Sequence, residues 1–171
     1  MNKTILAAVA ALTLTAGANL AIAAPPAGTA ASPNRAAELL TQSLAEKVLN
    51  AACDPSNDNI LADTKSGTTW VSRASYQVRS TQPVVPQVGL FIRHVGSPSE
   101  AENAFATQKA SQQGVDVSIQ GATKAYRTKT PAQLNLLKGS NLVMITAGTV
   151  KAPDNYGQEK VAKEVLPKIT D

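Results

Sequence analysis

Period-two alternation between Thr68 and Arg79 is the feature that most narrows what this chain can fold into. Trp70, Ala74, Tyr76 and Val78 fall on one side, and Arg73, Ser75, Gln77 and Arg79 on the other. Residues two apart share a face of an extended chain, so this run predicts a half-buried β-strand. The next stretch, Ser80 to Gln87, holds Pro83 and Pro86 and reads as a loop or edge segment, since proline cannot donate to a ladder. Val88 to Val95 is apolar almost throughout and reads as a central strand.

The flanking segments supply the helices. Asn34 is placed to cap a helix whose apolar residues Ala37, Leu40, Leu44, Val48 and Ala51 recur at three and four, widened by Leu39 and Leu49, as far as Ala52. A polar loop, Cys53 to Asn59, ends it. Ser97-Pro98-Ser99-Glu100 is a capping box with proline at the first helical position. It opens a helix with a narrow apolar face (Ala101, Ala104, Phe105, Ala110), stopped by Gly114 just past its C-cap. Such a helix is expected to lie close against a sheet.

Val115, Val117 and Ile119 then alternate as a strand, and Lys124–Thr128 and Gln133–Lys138 are shorter ones parted by Thr130-Pro131. Gln133–Lys138 and Leu142–Val150, joined by the turn Lys138–Asn141, form a hairpin. Ala152–Gly157 reads as a loop, and the last helix carries Val161, Ala162, Val165, Leu166 and Ile169, with Pro167 fraying its end. Strands joined by short turns predict an α+β domain: a mainly antiparallel sheet with the helices packed on one face.

The N-terminus sets the compartment. Lys3 gives a short positive region, Ile5 to Leu14 an apolar one, and Ala21-Ile22-Ala23 a small-residue cleavage site. These are the parts of a cleavable secretory signal peptide, 1–23, with Ala24 as the new first residue. The Ala- and Pro-rich segment 24–33 is expected to be a flexible leader, and 34–171 a single domain. The protein is therefore expected to be exported, periplasmic or secreted, and soluble, without stable membrane insertion after cleavage. Thr13, Thr15, Gly17, Asn19 and the Pro25-Pro26 pair argue against an uncleaved anchor. Leu49–Cys53 imitates a lipidation site but lies far past the signal.

Cys53 is the single cysteine, so no internal disulfide forms even in an oxidising destination. Burial as a small hydrophobe is the favoured reading; an intermolecular disulfide is the other. Removing Lys3 turns 16 basic side chains into 15, against 12 acidic ones, a net of +3. These charges are spread along the chain, which disfavours nucleic acid as a partner and supports at most weak attraction to an anionic polymer.

Few residues carry chemistry. His94 is the only histidine, and a site built on it would need distant residues such as Tyr76 and Arg93 beside it. One histidine and one cysteine cannot make a zinc site. Counted from Asp54, the sixth and twelfth positions of an EF-hand loop would be Asn59 and Lys65, so calcium ligation fails. Glu100, Glu102, Glu159 and Glu164 have sufficient structural reasons on helices. There is no phosphate loop or nucleophile elbow. Lys124, Arg127 and Lys129 form the densest basic run; in a strand Arg127 and Lys129 share a solvated face while Tyr126 points inward. Edge protection is the favoured role of that run, an anionic-ligand patch the other. Neither a catalytic set, a metal nor a cofactor is implied.

From Val88 to Val150 the outline is a strand, a helix opened by Ser-Pro-Ser-Glu-Ala-Glu-Asn-Ala-Phe, a strand through Val115–Ile119, then Gly121-Ala122, Ala125-Tyr126 and the Leu134–Ile145 hairpin. It resembles the sensor-like and lipoprotein-type α+β domains exported by bacteria and, more distantly, the PsbP-like sandwich. The lipidated N-terminus and paired cysteines of many such domains are missing here. Such domains are of unknown function and lend no site residues; the export signal, the one-domain size and the lack of a catalytic residue set point to a non-enzymatic binding or adaptor module whose partner is an envelope protein or an anionic polymer. A small-ligand carrier or enzyme around His94 is the alternative.

Overall fold

The computed structural model describes residues 34–56 and 63–171. The expected signal peptide and leader, and residues 57–62 of the polar loop, lie outside them. The elements are α1 (Ala36–Leu39), α2 (Gln42–Leu49), β1 (Cys53–Pro55), β2 (Thr64–Ser66), β3 (Thr69–Val78) and β4 (Gln87–His94). Then come α3 (Pro98–Ser111), β5 (Val115–Asp116), β6 (Lys124–Lys129), β7 (Ala132–Lys138), β8 (Asn141–Gly148) and α4 (Asn155–Val165), which runs into a 3-10 turn at Leu166–Lys168. The strands make one sheet in the order β1-β3-β4-β8-β7-β6-β5, with β2 also on β3, and every strand pairing is antiparallel. The class is α+β, as the pattern predicts, and β4 is central.

Alternation sorts the side chains into two cores. Val88, Leu90 and Ile92 of β4 stand opposite Ala147, Ile145 and Val143 of β8, and Leu134 and Leu136 of β7 extend that side. α1, α2 and α4 close over it with Leu40, Ala45, Val161, Val165 and Leu166. On the reverse side Val95, Tyr126, Leu137 and Leu142 form a smaller core with Ala101 and Phe105 of α3. The expectation of helices on one face is therefore corrected: three lie on one side and α3 on the other. Tyr126, Leu137 and Leu142 project away from the main core, and without α3 their apolar area would face water. Phe105 meets Tyr126 edge-on, with ring centroids 4.9 Å apart.

Other local expectations change for physical reasons. The expected helix up to Ala52 is two, broken at Leu40-Thr41, where the Thr41 side chain accepts from the Leu44 N–H and starts α2. Asn34 does not cap a helix. Its Nδ2 donates to Asn141 Oδ1 (3.0 Å) and to the Thr170 carbonyl (2.7 Å), and its Oδ1 accepts from Thr170 N–H (2.9 Å). A buried amide here clasps residue 34 to the C-terminal segment, 136 positions away. The strand expected through Ile119 keeps only Val115–Asp116.

At the end of α3 the left-handed residue is Gln113 (φ 51°), not Gly114. Gln113 N–H donates to Ala110 O and Gly114 N–H to Lys109 O, a Schellman closure. Gly114 serves contact instead: a Cβ there would sit 2.2 Å from the Tyr126 ring. Cys53–Pro55, read as loop, pairs with β3, and β2 has no sequence signal because its three residues are all exposed. α4 begins inside the expected loop, where Asp154 Oδ1 accepts from Gly157 N–H. Among the described residues no helix is long and apolar enough to cross a membrane.

Candidate functional site

α3 has two working faces. Ala101 and Phe105 go into the smaller core. Glu100, Asn103, Thr107 and Ser111, three or four residues apart, line a groove of about 660 Å³ between the helix and the sheet. That volume lies within the usual range for small-ligand sites. The floor lies on one cross-strand row in which Phe91 faces Met144 and Met144 faces Asn135; outside the lining the row continues to Arg73, opposite Phe91, and to Tyr126, opposite Asn135. Adjacent strands are about 4.8 Å apart, so Arg73 to Asn135 spans about 15 Å.

The row is chemically graded. At one end the Arg73 guanidinium stacks 5.3 Å from the Phe91 centroid, and Arg93 is exposed two residues along the same face of β4. Among the described residues neither arginine forms an ion pair. Phe91 and Met144 are half-buried in the middle. At the inner end Asn135 is 3% exposed, and among the described residues its Nδ2 has no hydrogen-bond partner. An unmet buried donor costs about 1–3 kcal/mol, which favours any occupant that brings an acceptor to it. Glu100 is the carboxylate of the lining, and its Oε2 accepts from Gly96 N–H at 3.2 Å.

Polar ties hold α3 over this floor. Glu102 pairs with Lys124 of β6, whose hydrogen bond holds the carboxyl below the ordinary glutamate range. Lys109 pairs with Asp116 of β5. Tyr126 donates its hydroxyl to Gln112 Oε1 at 2.9 Å, and burial pushes its phenol up to about 12.

The residues singled out from sequence do not converge on one site. His94 is on the main-core side of β4, with Nδ1 3.1 Å from Asn141 Oδ1 and Trp70 opposite it on β3. Arg93 points to the reverse face. Tyr76 shares the face of His94 but pairs with Val88, six residues along β4, or about 20 Å away at strand rise. Lys124 and Arg127 lie on opposite faces of β6, and each has its own carboxylate. Arg127 Nη2 donates to Glu159 Oε1 at 2.7 Å and to Asn155 O at 3.4 Å, so it sits at the edge of α4 and not on a solvated face. Lys129 ends the strand, exposed, and Tyr126 points into the smaller core as its alternation predicts.

Cys53 is buried, with Sγ donating to Ala51 O at 3.2 Å, and the thiol is pushed up by burial, then by Glu46 and Asp54, against the opposing Arg79. A disulfide to a second chain would require this buried sulfur to emerge. Asp54 accepts two hydrogen bonds from Arg79, which hold it below the ordinary aspartate range. Among the described residues no cluster of three metal-ligating side chains occurs.

Of the groove residues, Arg93 is the one weighed for ligand binding in the sequence; Glu100 and Phe105 are read there as helix-forming. The missed signal is the second stripe of α3, polar and spaced at three and four beside the apolar one. No family model, curated protein or solved structure matches this chain.

Proposed function

We propose that this protein is an exported, non-enzymatic binding module of the bacterial envelope, and that the α3 groove is its binding surface. The row Phe91–Met144–Asn135 beneath α3, with Arg93 beside Phe91, carries this reading. A lining with an exposed arginine at one end, apolar side chains in the middle and an unmet amide at the other suits an amphipathic, anionic partner better than water alone. The dispersal of His94, Tyr76 and Arg93 over two faces weighs against the carrier or enzyme built on His94.

The test is native mass spectrometry of the protein purified, with its own export signal, from the exported fraction. A bound species or stoichiometric partner on the wild type, lost in Phe91→Ser, is the expected result. The bare chain mass in both would overturn the proposal.

A further inference from the structure

We infer that the groove receives the C-terminal end of a peptide, its free carboxylate toward Arg93 and its last, apolar side chain on Phe91 and Met144; the inference rests on the binding-module reading above. Three observations converge. The first is charge: Arg93 is the cation of the lining and forms no ion pair among the described residues, while the lining carboxylate, Glu100, accepts from the Gly96 N–H. A guanidinium fork matches a carboxylate with two parallel hydrogen bonds, and capture of a chain terminus is a recurring mode of peptide recognition.

The second is the apolar middle. Phe91 and Met144 are neighbours across β4 and β8, next to Arg93 in the strand direction. Together they offer a flat, adaptable contact for one aliphatic side chain.

The third separates a peptide from other acids. Asn135, which lines the groove, holds a buried Nδ2 donor without a partner among the described residues. A peptide carbonyl beyond the terminal residue can accept from it. The hydrocarbon chain of a fatty acid carries no such acceptor and would leave it unmet. The polar stripe of α3 adds further hydrogen-bonding groups on the opposite wall. From Phe91 to Asn135 the lined row spans about 10 Å, which accommodates three or so extended residues at about 3.3 Å each.

The experiment is calorimetric titration of the full exported chain with three probes: alanyl-alanyl-leucine, its C-terminal amide, and dodecanoate. The free tripeptide is expected to bind saturably and its amide about tenfold more weakly, the scale of one charge-assisted bond. Arg93→Gln is expected to weaken the free acid by about the same factor and leave the amide unchanged. Lys151→Gln, outside the groove, is expected to change neither. Equal binding of acid and amide, or equal losses in both variants, would overturn the inference in favour of diffuse charge attraction. Arg93-dependent binding of dodecanoate without the tripeptide would overturn the peptide assignment while sustaining the groove. No binding of any probe would also overturn it, and the native mass experiment then judges the groove separately.

Discussion

Gly114→Ala is the sharpest test of how α3 is held. The backbone at 114 lies outside the left-handed region. Alanine is therefore allowed there, and by restricting the unfolded chain it should stabilise by about 0.4–1 kcal/mol. Contact argues the opposite way. The added Cβ would lie 2.2, 2.8 and 2.9 Å from Cδ2, Cε2 and Cγ of Tyr126, where carbon atoms need about 3.5–4.0 Å. The ring has little room to retreat. It is 0% exposed, stacked edge-on to Phe105 and tied through its hydroxyl to Gln112.

Forcing a methyl into such a site costs about 1–3 kcal/mol, more than the entropic gain. The net expectation is a loss of about 1–2 kcal/mol, read as a lower urea midpoint with an unchanged slope. In a Tyr126→Ala background the sign should reverse, because the clash is gone and only the entropic effect remains. Gly114→Ala as stable as wild type, or equally costly in both backgrounds, would refute the reasoning.

Three further outcomes follow from buried polar groups. Asn141→Leu removes an amide that accepts from Asn34 and donates to the Lys138 and Thr170 carbonyls. It should cost about 1–3 kcal/mol in denaturant unfolding, and a loss within experimental error would contradict the clasp. Because both amide hydrogens of Asn141 go to carbonyls, its Oδ1 faces His94, which must donate from Nδ1. Nitrogen-15 shifts of the neutral imidazole should show the Nδ1–H tautomer, and the Nε2–H form would contradict it. The Tyr126 phenol, raised from 10.0 to about 12, binds its proton more tightly in the folded state. Its contribution is complete below pH 10 and is lost as pH rises toward 12. Tyr126→Phe should flatten the stability profile in that window, and an unchanged profile would contradict the assignment.

The strands that build the sheet were legible because burial on one or both faces imprints a period on the sequence. Thr68–Arg79 and Val88–Val95 show this, and the β7–β8 turn declared itself through Gly139. What escaped depended on partners far along the chain. Asn34 looks like any cap until Thr170 and Asn141 are beside it. Gly114 looks like a helix stop until Tyr126 lies against it. The side taken by α3 was hidden because Leu137 and Leu142 sit in apolar runs whose two faces read alike. The groove was hidden for a related reason: a polar stripe aimed at a cleft and one aimed at bulk water have the same composition.

The central claim, that the α3 groove binds a ligand, has a reporter built into its floor. Met144 and Met1 are the two methionines of the chain, so a methyl-labelled methionine spectrum isolates the groove. During titration with alanyl-alanyl-leucine the Met144 methyl should shift saturably, and the shift should diminish in Arg93→Gln. A Met144 signal that stays still while the peptide binds elsewhere would contradict the account.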